Sequence, residues 1–233
     1  GVASRFLELF WCHGLQAGHI PRLVPSLNFS DLADEKSLLS ALTPKLIDEV
    51  GSVFGVRPEW IAGIDEQKYQ TGYCYKSPQR LFDVLDSLRE ITSLPLLAIS
   101  TVKILDRHAA APQRVELVVV EKVSELGETD VYRYHPFADG WDWQYAGCRI
   151  QLKAMARAFG RPVPLYQVTS KQMEAFYSGK EFPRALVSGP RITDPSLEDY
   201  AYSSKESHVS KESDEIPLVL SYLSEHGMKS WRR

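Results

Sequence analysis

Arg149, Lys153 and Arg157 recur at every fourth residue, and Arg161 continues the series. On a helix this spacing lines the cationic groups along one face, an arrangement suited to a row of phosphates. Ile150, Leu152, Met155 and Phe159 fall on the apolar side of the same segment. The four cations are therefore candidate nucleic-acid contacts, with an ordinary solvated helix face as the other reading. Tyr132, Tyr134, Trp141, Trp143 and Tyr145 form a second group. Crowded aromatics either fill a core or wall an apolar ligand pocket, so these five are candidate pocket residues. His135 with Asp139 or Asp142 has the residue types of a general-base pair. No spacing fixes those groups together, and no phosphate-binding loop, dinucleotide fingerprint or metalloprotease motif is present. Cys12, Cys74 and Cys148 stand singly, which predicts reduced thiols rather than a disulfide framework or a zinc site. We expect no catalysis, no cofactor and no metal.

The net charge of −3 decides nothing, but its distribution is uneven. Residues 1–66 carry five basic and nine acidic side chains, whereas residues 149–191 carry eight basic ones against Glu174 and Glu181. The two regions present opposite fields, and the acidic one suits a basic protein partner. The longest apolar run, 94–99, is interrupted by Pro95 and is far too short to span a bilayer. No basic and then apolar leader opens the chain, so no membrane partner and a cytoplasmic location are expected. The start, Gly1-Val2-Ala3 without methionine, reads as trimmed or tagged.

Hydrophobic periodicity divides the chain. Residues 1–66 read as five short helices: 3–13, 16–24, 29–36, 39–54 with a start near Thr43, and 58–64. A polar, tyrosine-rich connector follows at 67–77. Residues 78–91 form an amphipathic helix behind the Ser77-Pro78 cap. The period then becomes strand-like at 96–105, 115–123 and 131–135. A helix at 145–159, a strand at 163–168 and a helix at 170–178 complete the region. The order predicts an α+β fold: an all-α unit, then a unit at 78–194 with a mainly antiparallel sheet of about four strands. Residues 195–215 repeat Ser-Lys-Glu-Ser and read as a flexible linker, and 216–233 as a C-terminal helix. Val118, Val119 and Val120 must point to both sheet faces. Helices 78–91 and 145–159 can cover one of them. The other is left for a second subunit, our first choice, or for a small ligand.

Phe6-Leu7-Glu8-Leu9-Phe10 with Gly14-Leu15, then Ile20-Pro21-Arg22-Leu23, and finally Phe54-Gly55-Val56-Arg57-Pro58-Glu59-Trp60-Ile61-Ala62-Gly63 together carry a resemblance. The N-terminal pattern, over about residues 3–66, resembles the λ-repressor/Cro-like helix-turn-helix family of the xenobiotic-response-element type. The resemblance implies a bacterial-type transcriptional regulator that binds DNA, commonly as a homodimer, with a sensor or dimerisation unit behind it. It places a recognition helix on 28–36, with Asn28 and Ser30 able to read bases, Lys36 beside them, and Gln16 able to touch phosphate. It also buries Trp60 against the first helix and Phe54. Asp31, Asp34 and Glu35 face a polyanion there, which is repulsive. The alternative is a protein–protein interaction module whose helix-turn-helix unit no longer binds DNA. A third reading is an enzyme of unrecognised type in the α+β unit.

Overall fold

In this computed structural model residues 1–187, 196–202 and 215–231 are described. Both Ser-Lys-Glu-Ser repeats of the expected linker lie outside them. The chain is α+β. Short helices come first: α1 (Val2–Cys12), α2 (Ile20–Leu23), α3 (Glu35–Ala41), α4 (Pro44–Phe54) and α5 (Pro58–Ile61). After α6 (Gln79–Ser87) come β1 (Glu90–Ser100), β2 (Arg114–Leu126) and β3 (Thr129–Asp142). Then α7 (Ala146–Phe159), β4 (Leu165–Gln167), α8 (Ser170–Tyr177), α9 (Pro183–Val187), α10 (Leu197–Ala201) and α11 (Ile216–Glu225) follow.

Local chemistry explains the helix ends. Thr43 accepts a hydrogen bond from the Leu46 amide and precedes Pro44, so α4 starts where a side-chain cap meets a residue with no amide to orphan. It stops at Gly55, which is left-handed at φ 70 and closes on the Gly51 carbonyl. A side chain at Gly55 would also press on the Arg133 stem. Arg133 caps the same helix from the sheet, donating to the carbonyls of Ser52 and Val53.

The sheet has the order β3-β2-β1-β4, antiparallel except that β4 runs parallel to β1. The β2–β3 hairpin is longer than the expected 115–123 and 131–135, because β3 continues through Pro136 to Asp142. Its place at the sheet edge makes the proline tolerable, since an edge strand has one unpaired row of amides. The far end of this hairpin leaves the sheet core. Val131 packs with Phe6, Phe10, Phe54 and Trp60, and Val123 and Leu126 lie against the same cluster. Trp60 is buried as expected, with the Arg5 guanidinium over its ring and Phe182 edge-on to it. The helical unit and the sheet thus share a core, to which Phe182 contributes from beyond α8.

Both sheet faces are covered by this chain. One face (Leu96, Ala98, Leu117, Val119) packs with Leu81 and Leu85 of α6 and Leu152 and Met155 of α7. The other (Leu97, Ile99, Val118, Val120) packs with Met173 and Phe176 of α8 and Leu186 of α9. The second face, expected to await a second subunit, is therefore occupied by helices that the periodicity of 170–187 understates. Likewise 196–202 is not linker: Leu197, Tyr200 and Ala201 of α10 are buried in the main core. The connector at 67–77 is not free either. Gly72 exchanges hydrogen bonds with Pro136 and Ala138, and Tyr69 and Cys74 are buried.

Candidate functional site

The cationic series lies on α7 as its spacing predicts, but it is not a solvated face. Arg149 is 5% exposed and Lys153 1%. Both point at Glu215, the residue before α11. The Arg149 Nε and Nη2 groups donate to the Glu215 carboxylate at 2.5–3.0 Å, and Lys153 Nζ donates to its Oε2 at 2.8 Å. Arg107 approaches the same carboxylate at 3.3 Å. Arg149 also donates to the carbonyls of Trp143 and Gln144, and Lys153 lies 5.5 Å from the Trp143 ring centre. Burial alone would raise the Glu215 pKa, but the hydrogen bonds from Arg149 and Lys153 outweigh it and hold the acid at about 2. The carboxylate is thus ionised at neutral pH. The outer half of the series is covered differently. Arg157 lies over the Tyr202 ring at 4.9 Å and reaches the Ala201 carbonyl, and Arg161 lies over the Trp231 ring at 5.0 Å. Reading Arg149 and Lys153 as exposed phosphate contacts is corrected accordingly: apolar neighbours on both sides of α7 leave no solvent-facing stripe there.

The expected recognition helix at 28–36 is not one helix. Phe29–Leu32 is a single 3-10 turn, and α3 starts only at Glu35. Its acids have local work: Asp31 accepts the Asn28 amide and Asp34 accepts the Ser37 amide, each at 2.8 Å. Ser, Asn and Asp compete with the helix by binding nearby amides, which explains the break. Gln16, Asn28, Ser30 and Lys36 are all exposed. Gln16 itself starts a 3-10 turn, Ala17–His19, and not a regular helix.

The aromatic group is divided by the strand that carries it. Trp141 and Trp143 are fully buried, Trp141 edge-on to Tyr75 and Trp143 edge-on to Tyr200. Tyr145 is exposed at the N-terminus of α7. Tyr132 and Tyr134 instead border a shallow recess of about 220 Å³ with Leu94, Leu97 and Tyr166. No single pocket therefore joins the five, because alternation along β3 sends Tyr132 and Tyr134 to one sheet face and Trp141 to the other. His135 meets neither Asp139 nor Asp142; its Nε2 lies 3.1 Å from Glu121, which Arg133 also approaches.

Three groups were not legible as a site. Glu215 lay in the low-complexity stretch; its signal was an acid placed just before an amphipathic helix. Glu116 is buried and the half-buried Asp139 lies beside it. Glu116 accepts the amides of Asp139 and Gly140, and Asp139 accepts the amides of Cys74 and Tyr75. Burial pushes the Glu116 pKa up to about 8 and raises that of the Cys74 thiol, so this thiol is not an activated nucleophile. A glutamate inside an otherwise apolar strand was its signal.

His13 is the third. It is 4% exposed and sits among the rings of Phe54, Tyr134 and Phe182, where the helical unit meets the sheet. Nδ1 lies 2.7 Å from the Leu9 carbonyl and so carries the proton. Burial lowers its pKa to about 4, against that hydrogen bond and with help from the Arg184 charge. The fold favours the neutral ring, so this contribution is complete above pH 6.5 and is lost as pH falls toward 4. The loss reaches about 3 kcal/mol. Urea melts at pH 7 and pH 4 should show a pH-linked loss that shrinks by about that amount in His13→Leu. An unchanged difference would place the acid sensitivity elsewhere.

Among the described residues no group of three His, Cys, Asp or Glu side chains could hold a metal ion. None of the described helices is long and apolar enough to cross a membrane. No known protein family, curated protein or solved structure matches this chain.

Proposed function

We propose that the chain is a regulatory protein that acts by binding other proteins, on a helix-turn-helix-like scaffold that no longer reads DNA. The observation that carries this reading is the engagement of Arg149 and Lys153 by Glu215. It removes from solvent the cations best spaced for phosphate. The acidic turn at Asn28–Lys36 points the same way. Its carboxylates cap backbone amides at the surface, where a duplex would meet negative charge. The acidic helical unit is instead complementary to a basic protein surface. Binding is favoured over catalysis because Glu116, Cys74 and His13, three groups with strongly perturbed proton affinities, are enclosed in the core.

A second reading is favoured by one specific observation. Gln16, Asn28, Ser30 and Lys36 are exposed on the same unit, as a transcriptional regulator would need. Titration of a fluorescein-labelled duplex at physiological salt separates the two. The protein-binding reading expects association no tighter than the weak end of non-specific binding, roughly 10⁻⁴ M, unaltered by Gln16→Ala, Asn28→Ala and Ser30→Ala. Tighter binding that those substitutions abolish would establish the regulator instead.

A further inference from the structure

All four cations of the series meet the same part of the chain. Glu215 takes Arg149 and Lys153, Ala201 and Tyr202 take Arg157, and Trp231 takes Arg161. Ala201, Tyr202, Glu215 and Trp231 thus each engage a cation more than forty positions away in the chain. We propose that α11, with Glu215 before it and Trp231 after it, is an autoinhibitory cover over a latent phosphodiester-binding face of α7.

The covered face has the form of a linear site. Arg149, Lys153 and Arg157 rise along α7 in steps of about 6 Å, and Arg161 extends the row past Gly160. A row of this length fits a chain of phosphates better than it fits one small anion. The cover is chemically apt, because the Glu215 carboxylate takes bidentate hydrogen bonds from Arg149, Nε to Oε2 and Nη2 to Oε1, as a phosphate would. It is also thin. Val219 is the one buried side chain of α11 and meets Ile150 and Ala154, while Leu223, Met228 and Trp231 pack half-buried against the main core. Leu218 and Leu220 of the same helix face solvent. By contrast α10 buries Leu197, Tyr200 and Ala201 in that core, so release of the less buried α11 can leave the sheet, α7 and α10 in place. Buried cations become usable when their carboxylate leaves, since separation returns them to water where a polyanion can compete. This inference concerns the opened state, whereas the proposed function concerns the closed one.

The test uses the full chain carrying Glu215→Gln with Val219→Asn, titrated with a fluorescein-labelled duplex and with its single strand across a salt series. Native lysine acetylation of Lys153 reports opening independently. The expected result is faster Lys153 labelling together with at least about tenfold tighter association. With four phosphates engaged, the log–log salt slope should be about −3.6 on duplex and about −2.8 on single strand. Adding Arg157→Gln and Arg161→Gln should reverse the gain. Labelling of Lys153 with no gain in affinity for either strand form would overturn the proposal. Should the double variant lose its helical circular dichroism, Glu215→Gln alone is judged on the same two readouts. Strong duplex binding by the unaltered chain would overturn the proposed function as well, whereas failure of the opened variant alone overturns only the cover.

Discussion

Trp60→Ala should cost about 3–5 kcal/mol, the range for removing a large buried aromatic. The ring is 2% exposed and its contacts come from three parts of the chain. Arg5 of α1 covers one side and donates to the Trp60 carbonyl, Lys68 lies 5.2 Å from the ring centre, and Phe182 meets it edge-on. Truncation would leave a cavity where the helical unit and the sheet share one core. With total stabilities of about 5–15 kcal/mol in domains of this kind, the loss should be plain in urea denaturation. Because Phe182 lies beyond α8, the effect should extend past the first five helices, and tryptophan fluorescence and circular dichroism should lose their transitions together. A loss below about 1 kcal/mol, or a transition confined to the helices, would mean that the shared core is not a unit in solution.

Glu215→Ala is the second large effect. It leaves Arg149 and Lys153 inside the protein without the carboxylate that holds both. Breaking a buried ion pair from one side costs about 3–5 kcal/mol. The loss has a ceiling, the free energy at which α11 lifts away, because release hydrates both cations. The expected result is a lower urea midpoint together with faster hydrogen exchange of α11 and the outer turns of α7. Acid should mimic the substitution only at extreme pH. Glu215 is held at about 2 in the fold against an ordinary 4.5, so its contribution is present above pH 4.5 and is lost as pH falls through 2. An unchanged midpoint with unchanged exchange would show that the cluster holds nothing in place.

Much of this architecture is legible from the residues, and the places where it is not have physical causes. Thr43-Pro44, Gly55 and Pro58 locate α4 and α5, because capping and proline effects act within a few residues. The β-branched apolar run of 115–123 locates β2, because strand propensity is also a local signal. Strand β3 runs on through Pro136 because it is at an edge, and edge position is a tertiary fact. The cationic series is correctly placed on a helix, yet its exposure depends on Glu215, which is 62 positions from Lys153. Spacing along one element says which side chains share a face; it does not say what that face meets. The mixed pattern of residues 145–159 held a hint, since buried positions surround α7 on nearly all sides. At 28–36 the acids were readable as repulsive to DNA, but their use as caps, which breaks the expected helix, required knowing where the amides point.

The central claim is that the row of cations on α7 is enclosed by the chain's own C-terminal segment and is unavailable to phosphate in the resting protein. Native-state acetylation, followed residue by residue by mass spectrometry, tests this most directly. Lys36 and Lys171 are exposed and serve as internal references, whereas Lys153 is 1% exposed and bonded to Glu215. The account predicts that Lys153 remains unmodified long after both references have reacted, and that it reacts at their rate once the protein is unfolded in urea. Lys153 labelled as fast as Lys36 and Lys171 in the native protein would contradict it.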